Sequence, residues 1–175
     1  NDGTVENSYS TGEVSGNNRV GGLVGYNHEG TVENSYSTGE VIGNEDVGGL
    51  VGGNEGTVEN SYSTGEVSGD DYVGGLVGKN DGTVKNSFWD IDTSGQNTSD
   101  GGEGKHTEDM MKRSTFKKVG WDFDEIWNII EDESYPYFKP RITTEDVTEV
   151  LEDEKYLVKY RAFVFPIPGS VSYTH

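Results

Sequence analysis

GTVENSYSTGEVSGNNRVGGLVGYNHE occupies Gly3 to Glu29, and GTVENSYSTGEVIGNEDVGGLVGGNE follows it at Gly30 to Glu55. A third copy, GTVENSYSTGEVSGDDYVGGLVGKND, runs from Gly56 to Asp81. A fourth begins at Gly82 as GTVKNSFWDIDTSG and then departs. Successive copies start 27, 26 and 26 residues apart, and the extra residue falls near His28, in a turn that can absorb it. Self-similarity at a fixed period of this length is the mark of a stacked repeat, in which no single unit can bury its own apolar face.

Each copy offers three β-like stretches, which in the first are Thr4–Ser10, Glu13–Ser15 and Val20–Gly25. None shows helical spacing. Gly12, Gly16, Gly21, Gly22 and Gly25 are expected to supply corners, positive-φ positions or close backbone approach. Three strands per copy predict a triangular coil, with coils stacked in parallel about 4.8 Å apart. Stacking aligns Val5/Val32/Val58/Val84, Val14/Val41/Val67, Val20/Val47/Val73, Leu23/Leu50/Leu76 and Val24/Val51/Val77 as interior columns. Neighbouring Leu and Val cannot both point inward from a regular strand. Asn7, Asn34, Asn60 and Asn86 form a candidate amide ladder. Tyr9, Tyr36, Tyr62 and Phe88 form a candidate aromatic ladder, and Phe88 makes stacking its role there. The repeated Ser and Thr read as strand and turn filler.

The GGLVG at Gly21–Gly25, Gly48–Gly52 and Gly74–Gly78, with the preceding NSYSTG and GxV, resembles the GLUG motif. NSFWDIDTSGQ followed by GWDF, IWNI and YPYF is similar to the usual ending of such arrays. The resemblance covers roughly residues 1–140. It implies a right-handed parallel β-helix in a surface or secreted protein of bacteria or archaea, adhesins among them. Protease activity of some relatives does not carry over, because HExxH is absent. The expected fold is an all-β, right-handed parallel β-solenoid of about 3.5 coils with an aromatic C-terminal cap and extension. Its divisions are 1–95 for the solenoid, 96–140 for a capping segment with a short helix, and 141–175 for an acidic linker and a C-terminal strand.

Composition agrees with that reading. Only 30% of residues are hydrophobic, while 26 glycines and 11% aromatics separate the chain from a solvated coil. The net charge of −19 opposes nucleic acid and anionic membrane. There is no cysteine, hence no disulfide framework. No signal peptide or 18-residue apolar run occurs, and the chain starts inside a repeat, which points to a mature product or a fragment of a longer chain.

From Phe88 the pattern breaks. Thr107 is the expected N-cap of a short helix. Trp89, Trp121, Phe123, Trp127 and Tyr135 are expected to cap the open coil end, which would otherwise expose strand edges and core. Tyr156, Val158, Tyr160, Phe163 and Phe165 lie on a strand-forming stretch suited to pairing with its own rod or with another copy. Carboxylates recur at Glu13, Glu40, Glu66 and Asp92, where like charges about 5 Å apart make weak Ca²⁺ candidates. Beyond that no cofactor is expected. Asn97 begins a glycosylation sequon, N-T-S. His28, His106 and His175 show no ligand spacing, and neither GxSxG nor a phosphate loop is present. These residues predict a non-enzymatic structural or adhesive segment, extracellular or at the cell surface, whose partners are copies of itself, other surface proteins or glycans. The alternatives are a self-assembling filament subunit and a glycan-binding or glycan-active β-helix.

Overall fold

A computed structural model describes residues 1–140; Tyr156–Phe165 and the rest of 141–175 lie outside the described residues. Asn1–Lys139 form one unit, in which every repeat becomes a coil of five short strands rather than three. The first coil holds β1 (Thr4–Glu6), β2 (Tyr9–Ser10), β3 (Val14–Ser15), β4 (Asn18–Gly21) and β5 (Val24–Asn27). The second holds β6 (Thr31–Glu33), β7 (Tyr36–Ser37), β8 (Val41–Ile42), β9 (Glu45–Gly48) and β10 (Val51–Asn54). The third holds β11 (Thr57–Glu59), β12 (Tyr62–Ser63), β13 (Val67–Ser68), β14 (Asp71–Gly74) and β15 (Val77–Asn80). A partial fourth contributes β16 (Thr83–Lys85) and β17 (Phe88–Asp90).

Equivalent strands pair in parallel, so the molecule is an all-β parallel solenoid. Val5, Val32, Val58 and Val84 are direct partners, as are Tyr9, Tyr36, Tyr62 and Phe88. Paired residues are 27 apart up to Asn27↔Asn54 and 26 apart from Thr31↔Thr57 onward. The added residue therefore sits between Asn27 and Gly30, around His28.

The corners differ from the expectation. No repeat glycine adopts a left-handed backbone; that role falls to Asn7, Asn34, Asn60 and Asn86, and to Arg19, Asp46 and Tyr72. Asn tolerates this region better than most residues. No side-chain ladder forms along the Asn7 column, where the Oδ1 atoms of Asn7 and Asn60 are buried without a partner. The amide ladder runs elsewhere. Asn1, Asn27 and Asn54 each donate through Nδ2 to the Oδ1 of the next, at 2.9, 2.8 and 2.7 Å, ending on Asn80. The serines are not filler either. Ser8, Ser35 and Ser61 N–H groups donate to the hydroxyl one coil on, at 3.2, 3.1 and 3.1 Å. Each Ser35, Ser61 and Ser87 hydroxyl in turn donates to the carbonyl two residues back, across the left-handed Asn. The Asn27 and Ser35 columns are thus paired between coils, as polar groups in a thin core must be.

Of the roles expected for them, the repeat glycines serve close backbone approach. β4 and β5 fold back on each other, and a Cβ on Gly21 or Gly48 would strike the carbonyl oxygen of Val24 or Val51. Gly52 would meet the Arg19 carbonyl carbon at 2.6 Å. This arch lifts Leu50 and Leu76 out of the strands, so that they and the adjacent Val51 and Val77 are all buried. Two apolar clusters fill the interior, one around Val32, Leu50, Val58 and Leu76, the other around Val20, Val41, Val47 and Val67.

Beyond Asp90 the chain turns into α1 (Ile91–Ser94) and then crosses the coil end. Gln96 Nε2 donates to Val67 O at 2.8 Å, and Leu76 and Val77 N–H groups donate to Ser99 Oγ. The strand β18 (Glu103–Lys105) pairs in parallel with β17, although sequence reading had assigned these residues to the cap rather than to the sheet. Two short helices follow, α2 (Thr107–Met110) and α3 (Arg113–Lys117), then the antiparallel pair β19 (Trp127–Asn128) and β20 (Tyr137–Phe138). Thr107 is the first residue of α2, and His106 takes the N-cap position without a side-chain bond.

Candidate functional site

Two features of the described residues bring chemistry-bearing side chains together: an aromatic flank and a cleft beside the coil end. The flank begins with the tyrosine column. Tyr9 stacks on Tyr36 at 5.1 Å between ring centroids, and Tyr36 on Tyr62 at 5.0 Å, each pair tilted by 9°. Phe88 continues the register but packs edge-on to Phe116 at 5.3 Å.

The expected cap is in fact a lateral cover. Trp121 lies 6.1 Å from Phe88 and 6.2 Å from Tyr62. Trp127 lies 6.1 Å from both Tyr62 and Tyr36, and Phe138 reaches Tyr36 at 5.3 Å and Tyr9 at 6.2 Å. The segment thus descends along the tyrosine column from the fourth coil to the first. Polar pins hold it: Trp121 Nε1 donates to Asn86 O at 2.8 Å, and Tyr62 Oη to Pro136 O at 2.6 Å. Phe123 is buried beneath the Arg113 guanidinium, 4.9 Å away. Among the named cap residues, Trp89 alone points into the solenoid. It replaces the inward serine of earlier coils and packs against Gly75, with Nε1 donating to Gln96 O at 3.0 Å.

Asp90 ties the flank to the end. Its carboxylate is fully buried and accepts from Asp92 N, Thr93 N, Thr107 Oγ1 and Tyr135 Oη. Burial, and then the bond to Asp90, pushes the Tyr135 phenol up to about 12.

The cleft, of about 750 Å³, is lined by Asp92, His106, Thr107, Glu108, Met111 and Asp132. His106 Nδ1 lies 2.9 Å from Asp92 Oδ1, and Thr107 N–H donates to Asp92 Oδ2 at 2.9 Å. The backbone bond from Thr107, followed by the bond to His106, lowers the Asp92 carboxyl below its usual value; the same pairing raises His106. The signs fix a window. A raised histidine contributes fully below its unfolded value of 6.5 and loses that contribution as pH climbs through its folded value. A lowered aspartate contributes above 3.8 and loses it as pH falls through its folded value. The pair is therefore complete between pH 3.8 and 6.5. NMR titration is expected to place the His106 midpoint above 6.5 and, in Asp92→Asn, to bring it back down.

This arrangement breaks the carboxylate column. Glu13, Glu40 and Glu66 stay exposed in register, but Asp92 has moved into α1 and is occupied by His106 and Thr107. Among the described residues no three His, Asp or Glu gather as a group able to hold a metal ion. Asn97 is exposed, while Ser99 of its sequon is engaged at the coil end. The Asp90 knot and the Asn27 and Ser35 columns escaped sequence reading. The two columns recur in each copy at the same spacing as the rest, so periodicity marked them without giving their role.

Comparison with known proteins agrees with the coil geometry. The GLUG motif matches residues 16–42 and 43–68. A stretch of 41 residues is 54% identical to a protein of Evansella cellulosilytica named "Putative Gly-rich membrane protein". That stretch is 22% of this chain, and the chain spans 5% of the length of that relative. No solved structure matches. Among the described residues no helix is long and apolar enough to cross a membrane. Two tandem GLUG motifs, each built around a glycine arch, thus lie within parallel coils in register, in a chain folded as a β-solenoid.

Proposed function

We propose that the chain is a non-enzymatic structural and adhesive segment of a cell-surface or secreted protein. The observation that carries this reading is the register of the coils. Ladders of Asn and Ser bonds join each coil to the next, so the outer surface repeats the same polar residues at fixed intervals. Such a stack resists bending and needs little apolar core, which suits a chain with a net charge of −19. The name of the Evansella relative supports a setting at the membrane.

Asp92 and His106 have the spacing of an orienting acid and a base, yet the adjacent Thr107 hydroxyl donates to Asp90 and not to the imidazole. A nucleophile must lie within reach of its base. Head-to-tail stacking through the fourth coil is disfavoured, because β18 and residues 96–100 already occupy edges there.

The test displays the full chain on a non-adherent bacterium and measures attachment to polysaccharide-coated surfaces, with release of reducing sugar ends assayed in parallel. Increased attachment without release is the expected result. Attachment equal to that of undecorated cells, or sugar release abolished by one carboxylate substitution, overturns the proposal.

A further inference from the structure

The first twelve residues of the three complete copies are identical, as is VGGLVG. Apart from Ser15/Ile42/Ser68, the differences fall at the residue before β4, β9 and β14, at the first two residues of those strands, at Tyr26/Gly53/Lys79, and in the turn that follows. β4 and β5 fold back on each other, so these positions share one side of the coil. The other sides vary only at Ser15/Ile42/Ser68: the Thr4–Glu6 side repeats the same residues in three coils, and the tyrosine column lies under its own cover.

Random drift at these strand positions would not preserve chemistry, yet a pairing survives here with its roles exchanged. In the first coil Arg19 holds its guanidinium 4.0 Å from the Tyr26 ring centroid. In the third, Tyr72 takes the place of Arg19 and Lys79 that of Tyr26, with the ammonium 5.5 Å from the ring. The second coil has Asp46 and Gly53 at these places. A Cβ on Gly53 would meet the Tyr26 ring at 3.1 Å, so the glycine lets that ring lean across the second coil. Tyr72 stands 59% exposed. The two rings belong to coils two strand spacings apart, roughly 10 Å along the rod.

We infer that this variable side is the recognition surface and that its ligand is a neutral polysaccharide lying along the rod. This rests on the adhesive reading above and names its partner. Tyrosine offers a rigid amphipathic face, here to the C–H face of a sugar ring, and Asn and carboxylate groups bond to hydroxyls. Charge selects among polymers. A net −19 opposes a polyanion. A polycation is drawn by that net charge but finds no cation position free at the rings, because Arg19 and Lys79 already lie over them. An uncharged polymer meets neither barrier.

Affinity electrophoresis of the full chain in native gels containing hydroxyethylcellulose, barley β-glucan or galactomannan tests the inference. Retardation is expected in at least one gel, weakened at least tenfold by Tyr72→Ala, restored by Tyr72→Phe and unaffected by Glu59→Gln on the invariant side. Tyr72 is mostly exposed, so its loss leaves the fold intact, and unchanged melting confirms that. The inference is overturned by an absence of retardation in all three gels, by retardation that Tyr72→Ala leaves unchanged, or by polylysine binding more tightly than any of the three. If displayed cells attach and Tyr72→Ala cells attach equally well, this inference falls while the adhesive function stands; if no cells attach, the function itself falls.

Discussion

Gly39→Ala is expected to lower the melting temperature by roughly 10 °C, and Gly12→Ala to leave it unchanged or slightly raised. The two glycines hold the same place in the repeat, and neither has a left-handed backbone. They differ in what lies next to them. A Cβ on Gly39 would run into the carbonyl oxygen of Gly12 in the adjacent coil, whereas a Cβ on Gly12 would meet nothing within 4 Å. A methyl group forced against backbone must push two coils apart and disturb ladder bonds on either side. Overpacking typically costs about 1–3 kcal/mol, and rigid backbone neighbours place this case at the upper end. Where no clash arises, Gly→Ala stabilises by about 0.4–1 kcal/mol through the unfolded chain. Thermal melts of the two variants provide the check. Coincident melts would mean that the coils are not stacked as described.

Trp127→Ala is expected to cost about 3–5 kcal/mol, the range for removing a buried tryptophan. The side chain is fully buried and its ring lies 4.6 Å from Trp121 and 4.8 Å from Phe138, as well as against Tyr36 and Tyr62. Its loss opens a cavity between the cover and two coils at once. Denaturant melts should show the full cost, and near-UV circular dichroism should lose intensity while the far-UV β signal persists at low temperature. Ile130→Ala, at a half-exposed position beyond β19, should stay within about 0.5 kcal/mol. A cost below about 1 kcal/mol for Trp127 would show that the cover is an accessory and not part of the folded unit.

Much of this was legible in the sequence because stacking is a one-dimensional code. A period read from Gly3, Gly30 and Gly56 fixes which residues become partners, and it placed the valine columns and the stacked tyrosines correctly. It could not fix the path within a coil. Asn7 and Asn27 recur equally well, and only backbone conformation separates them: left-handed at the first, strand at the second. Sequence leaves open whether Gly21 marks a corner, a positive φ or a close backbone approach, and the arch selects the last through the missing side chains of Gly21 and Gly48. The direction of the cover was equally hidden. Trp121, Trp127 and Phe138 announce a buried aromatic cluster, but an end plug and a flank cover have the same composition. The choice of flank follows from contacts such as Tyr62 Oη with Pro136 O, between residues 74 apart.

The descent of that cover carries a consequence for evolution. Tandem duplications readily gain or lose whole units by unequal recombination, and the identical twelve-residue blocks here are ready substrates for it. Yet the cover works as a vernier: Trp121 is set against the fourth rung and Phe138 against the first, with Trp127 between the middle two. An inserted unit would strand one tyrosine beyond its reach, and a deleted one would leave an indole facing water. Within the four rungs that the cover spans, a gained or lost unit must then be matched by a change in the non-repetitive segment, so that this part of the array is tallied by residues that do not repeat.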